Sequence, residues 1–173
     1  MSVPESTLPI PPAGHVAGRG AERSVWYSGW LLTFLATSEE TRGRFALVEE
    51  IGRRDRSAVP PLHVQTREEE CFYVVEGAMT FWVGDDIIHA PAGTFVMLPR
   101  GVPHRFEIVS EEVRVLNLCV PAGFEGFFRE LSEPAPTLTL PPPAGPPDIG
   151  RLIATAATYG VDILPPAKSS NEA

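Results

Sequence analysis

Four side chains near the middle of the 173-residue chain have types and spacing suited to chemistry. His63 and Gln65 are two residues apart, so on a β-strand both leave the same face. The polar run Thr66-Arg67-Glu68-Glu69 permits a turn, after which Glu70, Phe72 and Val74 share one inner face. Further along, Pro99-Arg100-Gly101-Val102-Pro103 forms a corner that delivers His104 to the start of a strand, with Phe106 and Ile108 on the same side. Two neutral imidazoles and one carboxylate make a donor set for Fe(II), Mn(II), Ni(II) or Zn(II) that keeps positions open for substrate and dioxygen. Gln65 adds its amide oxygen as a weak fourth ligand or holds a bound water. Glu68 and Glu69 read as solvated turn charges.

The elements that must position these groups are short. Apolar runs separated by turn residues predict strands at Val25–Tyr27, Trp30–Ala36, Phe45–Ile51, Leu62–Gln65, Cys71–Val75, Met79–Val83, Ile87–His89, Phe95–Leu98, His104–Val109 and Val113–Val120. Glu76-Gly77, Gly84-Asp85-Asp86 and Pro91-Ala92-Gly93 punctuate them as tight turns. Strands this closely spaced, with no helical period between them, indicate an all-β sandwich or barrel over residues 21–122. Residues 1–20, rich in Pro and Gly, read as a flexible arm, and 166–173 as a tail. Residues 123–165 form a helical extension. Phe124, Phe127, Phe128 and Leu131 make one apolar stripe, and Ile149, Leu152, Ile153, Ala156 and Tyr159 make a second, with Asp148 as N-cap and Gly160 just past the end. A proline-rich connector joins the two helices.

His63, Glu70 and Gly77, followed by Gly93, Pro99, Gly101 and His104, fall at the intervals of the paired motifs of the cupin superfamily. Over about residues 57–108 the chain resembles single-domain bacterial cupins similar to quercetin 2,3-dioxygenase. Three positions depart from the pattern: Ser57 replaces the leading Gly, Gln65 the second His, and Ile108 the final Asn. The resemblance implies a conical jelly-roll β-barrel with two helices packed outside it. It also implies one divalent metal ion per chain (Fe, Mn, Ni, Co or Zn) held by His63, Glu70 and His104, with Gln65 as accessory. By the same resemblance the protein is a dioxygenase acting on an aromatic, flavonol-like molecule, with Glu70 as ligand and general base, and it is a homodimer. Phe72, Phe81, Met97 and Phe106 on the presumed inner face either line the substrate pocket or pack the core. Two other functions fit the same scaffold: a non-redox cyclase, isomerase or lyase using the metal as Lewis acid, and a binding module without metal.

Composition narrows the field further. A chain of this length, 43% hydrophobic, buries a substantial core and is neither a disulfide-stapled mini-fold nor wholly disordered. A net charge of -8 and a pI near 5.0, with no basic stripe, argue against nucleic acid as a partner. No stretch is long and apolar enough to span a bilayer, and no signal peptide is visible, so the expected location is cytoplasmic. In that compartment Cys71 and Cys119 are expected as buried free thiols. The partners that remain are a small-molecule substrate and O₂.

Overall fold

The computed structural model describes residues 14–54, 59–143 and 148–165. In chain order the elements are β1 (Ser24–Tyr27), β2 (Trp30–Ala36), the one-turn α1 (Ser38–Thr41), β3 (Ala46–Arg53), β4 (His63–Gln65), β5 (Glu69–Glu76), β6 (Ala78–Val83) and β7 (Asp86–Pro91). They continue with β8 (Phe95–Leu98), β9 (His104–Ile108), β10 (Glu112–Val120), α2 (Glu125–Leu131), β11 (Glu133–Pro134), α3 (Ile149–Thr158) and β12 (Val161–Ile163). Among the described residues the strands form two antiparallel sheets, ordered β11-β1-β2-β3-β10-β5-β8 and β12-β4-β9-β6-β7. This is the all-β jelly-roll arrangement expected. The two sheets face each other as separate ladders rather than closing into one, which leaves edges at β11, β8, β12 and β7.

Period-two alternation builds the core. On the larger sheet Phe72 and Val74, Val113 and Val115, Val48, and Leu32 and Phe34 point inward; on the smaller sheet Met79 and Phe81, Phe106 and Ile108 meet them. Phe72, Phe81 and Phe106 interlock at ring-centroid separations of 5.3, 5.3 and 5.8 Å, so they form one aromatic layer across the two sheets. The β5–β6 turn needs glycine: Gly77 has φ +81°, and a Cβ there would run into the Glu112 carbonyl.

Two expectations about faces are corrected. Met97 was expected on the pocket side, but it pairs with Cys71 while Leu98 pairs with Glu70, so Met97 lies on the outer face, 48% exposed. Val96 and Leu98 fill the inward positions of β8 instead. Glu68 is also not a solvated charge; it is 3% exposed. The reason is the C-terminal segment, which packs over the Thr66–Glu69 turn: Thr66 N and Oγ1 both donate to Gly160 O, at 2.9 and 2.7 Å.

The extension is tied more closely to the sheets than a pair of outer helices would be. Asp148 caps α3 by accepting from Arg151 N, and Gly160 follows the helix at φ +75°, both as expected. After that turn β12 pairs with β4, aligning Ile163 with His63 and Val161 with Gln65. Phe124, Phe127 and Phe128 join the core cluster, where Tyr27 meets the last two edge-on at 5.8 and 5.4 Å. β11 and β12 were not foreseen: two or three residues beside a proline-rich run or a helix end carry too little periodicity to register. Of the expected arm, Arg19 pairs with Glu49 on the outer face of β3, while residues 1–13 lie outside the described residues, as do Ser57, residues 144–147 of the connector and the tail 166–173. Cys71 and Cys119 are buried free thiols, as expected. No described helix is long and apolar enough to cross a membrane.

Candidate metal centre

Backbone register brings the three motif side chains together. His63 on β4 pairs directly with His104 on β9, and their rings lie 4.4 Å apart at 69°. Glu70 opens the inner face of β5 on the facing sheet. Ligand atoms of His63, Glu70 and His104 all fall within 4.8 Å of one another, and all three residues are buried. The Pro99–Pro103 corner is pinned to the same strand, because Gly101 N donates to Gln65 O at 2.8 Å. Gly101 can do so because its φ of +80° is one that glycine adopts freely.

The rings are oriented by the main chain. His63 Nδ1 lies 2.8 Å from Pro61 O and His104 Nδ1 lies 2.9 Å from Val102 O. A carbonyl only accepts, so each Nδ1 carries a proton and Nε2 is the atom each neutral ring has to offer a metal. Imidazoles that bind metals are commonly oriented this way. Burial, together with the neighbouring His104, lowers the His63 pKa and favours its neutral form. Burial pushes the Glu70 carboxyl up, but His104, then His63 and Asn117, outweigh it and hold the group below the usual carboxylate range. The Glu70 carboxyl thus lies directly against both imidazoles.

Unpartnered atoms cluster at this point. Glu70 Oε2 and His104 Nε2 are 3.5 Å apart, and each is buried without a hydrogen-bond partner. A carboxylate oxygen and an imidazole nitrogen this close in a dry interior need a cation or a proton between them. Gln65, 1% exposed, has neither Nε2 nor Oε1 paired. The donor chemistry and the orphaned atoms together fit a divalent ion.

Register also sets what lies on each side of the trio. Phe72 follows Glu70 by two residues and Phe106 follows His104 by two, so the aromatic layer adjoins the centre on one side. β4 runs antiparallel to β9, which places Gln65 on the other side, by the corner loop. Phe72, Phe81 and Phe106 are thus both core and the boundary of the site. Burial with the nearby Glu70 charge pushes the Glu68 carboxyl up to about 7 against Arg67 and Arg100.

Two further residues were missed by reading the sequence. Asn117 on β10 is 1% exposed, and its Nδ2 donates to Glu70 Oε1 at 2.8 Å and to Glu50 Oε1 at 2.9 Å. Glu50 on β3 is 4% exposed, and burial, opposed by the Asn117 bond and helped by Glu70, raises its pKa to about 8. The signal was available: both occupy inward phases of strands whose other inward residues are Ala46 and Val48, or Val113, Val115 and Cys119. A polar residue in an apolar phase marks a site or a network.

Comparison with known proteins agrees with this fold. The family described as Cupin domain matches residues 55–121. A quercetin 2,3-dioxygenase of Bacillus subtilis is 31% identical over 100 residues, covering 58% of this chain and 29% of the enzyme. An uncharacterised protein of Streptomyces coelicolor is 35% identical over 101 residues, covering 58% of this chain and 88% of that protein. The chain thus spans less than a third of the Bacillus enzyme's length. Among solved structures, an RmlC-like cupin from Shewanella frigidimarina superposes with a TM-score of 0.54 at 19% identity, covering 66% of this chain and 96% of that one.

Proposed function

Because the chain belongs to the cupin superfamily, we propose that it is a metal-dependent dioxygenase of small aromatic or polyphenolic molecules, with His63, Glu70 and His104 as ligands of one divalent ion. The observation that carries the reading is the convergence of the three buried donors, with Glu70 Oε2 and His104 Nε2 3.5 Å apart and neither hydrogen-bonded within the protein. A bound ion supplies Lewis acidity that lowers the pKa of a coordinated hydroxyl and, for a redox-active metal, a meeting point for substrate and dioxygen.

The protein's own groups supply the rest. Nδ1–H bonds to Pro61 and Val102 fix the orientation of the two rings and reserve Nε2 for a ligand. Glu70 is ionised at neutral pH and can accept the proton of a substrate hydroxyl at Oε2 while Oε1 stays bonded to Asn117. Gln65 offers an N–H donor and a carbonyl acceptor, both otherwise unsatisfied, to a fourth coordination position or to a water or substrate oxygen beside it. Phe72, Phe81 and Phe106 exclude water from the opposite side.

The experiment is oxygen uptake by protein reconstituted with Fe, Mn, Co, Ni or Zn against a panel of flavonols and simpler phenols. Substrate-dependent uptake with one or more of the redox-active metals is the expected result. Turnover of a substrate under anaerobic conditions with zinc alone would move the assignment to Lewis-acid chemistry, for which the neutral Gln65 in place of a third imidazole is the motivating observation.

A further inference from the structure

Beyond the three ligands, the larger sheet carries a polar chain that neither the family resemblance nor the donor set accounts for. Every polar atom of the Asn117 side chain is committed. Its amide nitrogen donates to Glu70 Oε1 at 2.8 Å and to Glu50 Oε1 at 2.9 Å, while its oxygen accepts from Cys119 Sγ at 3.6 Å. The Glu70 oxygen accepts from the NH₂ end of the amide, which turns the carbonyl end toward the Cys119 thiol. One oxygen of Glu70 is thereby occupied, and the other, Oε2, is left facing His104 Nε2 without a partner.

We propose that Asn117, locked in place by Glu50, is the positioning residue that divides the two oxygens of Glu70, holding Oε1 so that only Oε2 is offered to a metal. The inference rests on the metal-binding reading above. It explains why a carboxyl sits at 4% exposure on β3, where an apolar side chain would otherwise pack. Glu50 is the acceptor for the second N–H of Asn117; without it the amide could rotate and release Glu70. Raised to about 8 by burial, Glu50 is neutral near pH 7, so it serves as this acceptor without placing a second negative charge beside the ligand.

The test is the affinity of the full chain for Co(II), measured by chelator competition at pH 7, with the visible spectrum of the bound ion as the second readout. Asn117→Ala is expected to weaken binding by roughly 10–100-fold, the range typical of partners that orient a ligand, and to change the Co(II) spectrum. Glu50→Ala should weaken binding in the same direction, and Glu50→Gln, which keeps a neutral carbonyl acceptor, should restore it. A purely packing role for Asn117 would lower the melting temperature of the apo protein without altering the spectrum. Wild-type affinity and spectrum in Asn117→Ala overturn the proposal; so does a Glu50→Gln variant as impaired as Glu50→Ala, which also decides the matter should Asn117→Ala not fold. If the wild type itself binds no Co(II), nor Zn(II) or Mn(II), the metal reading fails and takes the proposal with it.

Discussion

On the five-stranded sheet, both imidazoles are aimed by main-chain carbonyls within two residues of themselves, Pro61 and Val102, and the side-chain amide of their neighbour Gln65 is left with no partner. On the seven-stranded sheet, Glu70 is aimed by a side chain on the adjacent strand β10, which in turn leans on another on β3. Local backbone aiming is encoded by a short motif and tolerates change elsewhere. Aiming through side chains depends on residues far apart in sequence, 47 positions from Asn117 to Glu70 and 67 from Asn117 to Glu50. One half of the centre is therefore aimed by its own backbone and left incomplete at the Gln65 amide; the other is bonded through Asn117 at Glu70 Oε1, with Oε2 left toward His104. The adjacent pair Glu49 and Glu50 shows the same division on one strand: Glu49 faces outward between Arg19 and Arg114, while Glu50 faces inward to a single amide.

The harshest way to break the comparison is to remove a ligand from the incomplete half. His104→Ala should weaken metal binding by more than the roughly 100-fold upper figure for outer partners, read by metal competition. Next comes the aromatic layer that joins the halves. Phe81→Ala should cost about 3–5 kcal/mol of stability in urea unfolding, because Phe72 and Phe106 close on it from both sheets, while the trio's geometry depends on β4, β5 and β9 and should keep most of its affinity.

A smaller change sharpens the contrast. Gln65→His adds a nitrogen donor where two amide atoms are unpartnered, and should tighten metal binding on the order of tenfold. Looser binding would mean that the side chain at this position does not reach the ion. A pH-dependent effect belongs to the bonded half. Glu50 has a folded-state pKa of about 8 against an ordinary 4.5, so between those values the folded protein holds one more proton than the unfolded chain. Its contribution to stability is fully present below the unfolded value and is lost as pH rises through 8. Glu50→Gln should flatten that loss, so urea midpoints of the apo variant should fall less between pH 5 and 9 than those of the wild type.

What could be read from the sequence follows the same line. His63, Glu70 and His104, the Gly77 and Gly101 turns, the ten strands that make up most of the two sheets and the caps of α3 rest on local patterns or on one compact pair of motifs, and these were legible. Met97 was assigned to the wrong face because the position of the Phe95–Leu98 strand did not reveal its phase; only the pairing of Leu98 with Glu70 does. Glu68 looked solvated because nothing local announces that β12 and the Gly160 turn will cover it. Asn117 and Glu50 stood in apolar phases, but what they bond to is set by the order of β3, β10 and β5 in the sheet, which no local pattern carries.

The centre itself is tested most directly by elemental analysis of untagged protein purified without chelator, alongside the His104→Ala variant. The expected result is close to one equivalent of a divalent metal per wild-type chain, or its restoration on titration, and near-complete loss in the variant. Well under one equivalent in the wild type that titration does not restore, or equal metal content in the two proteins, would contradict the account.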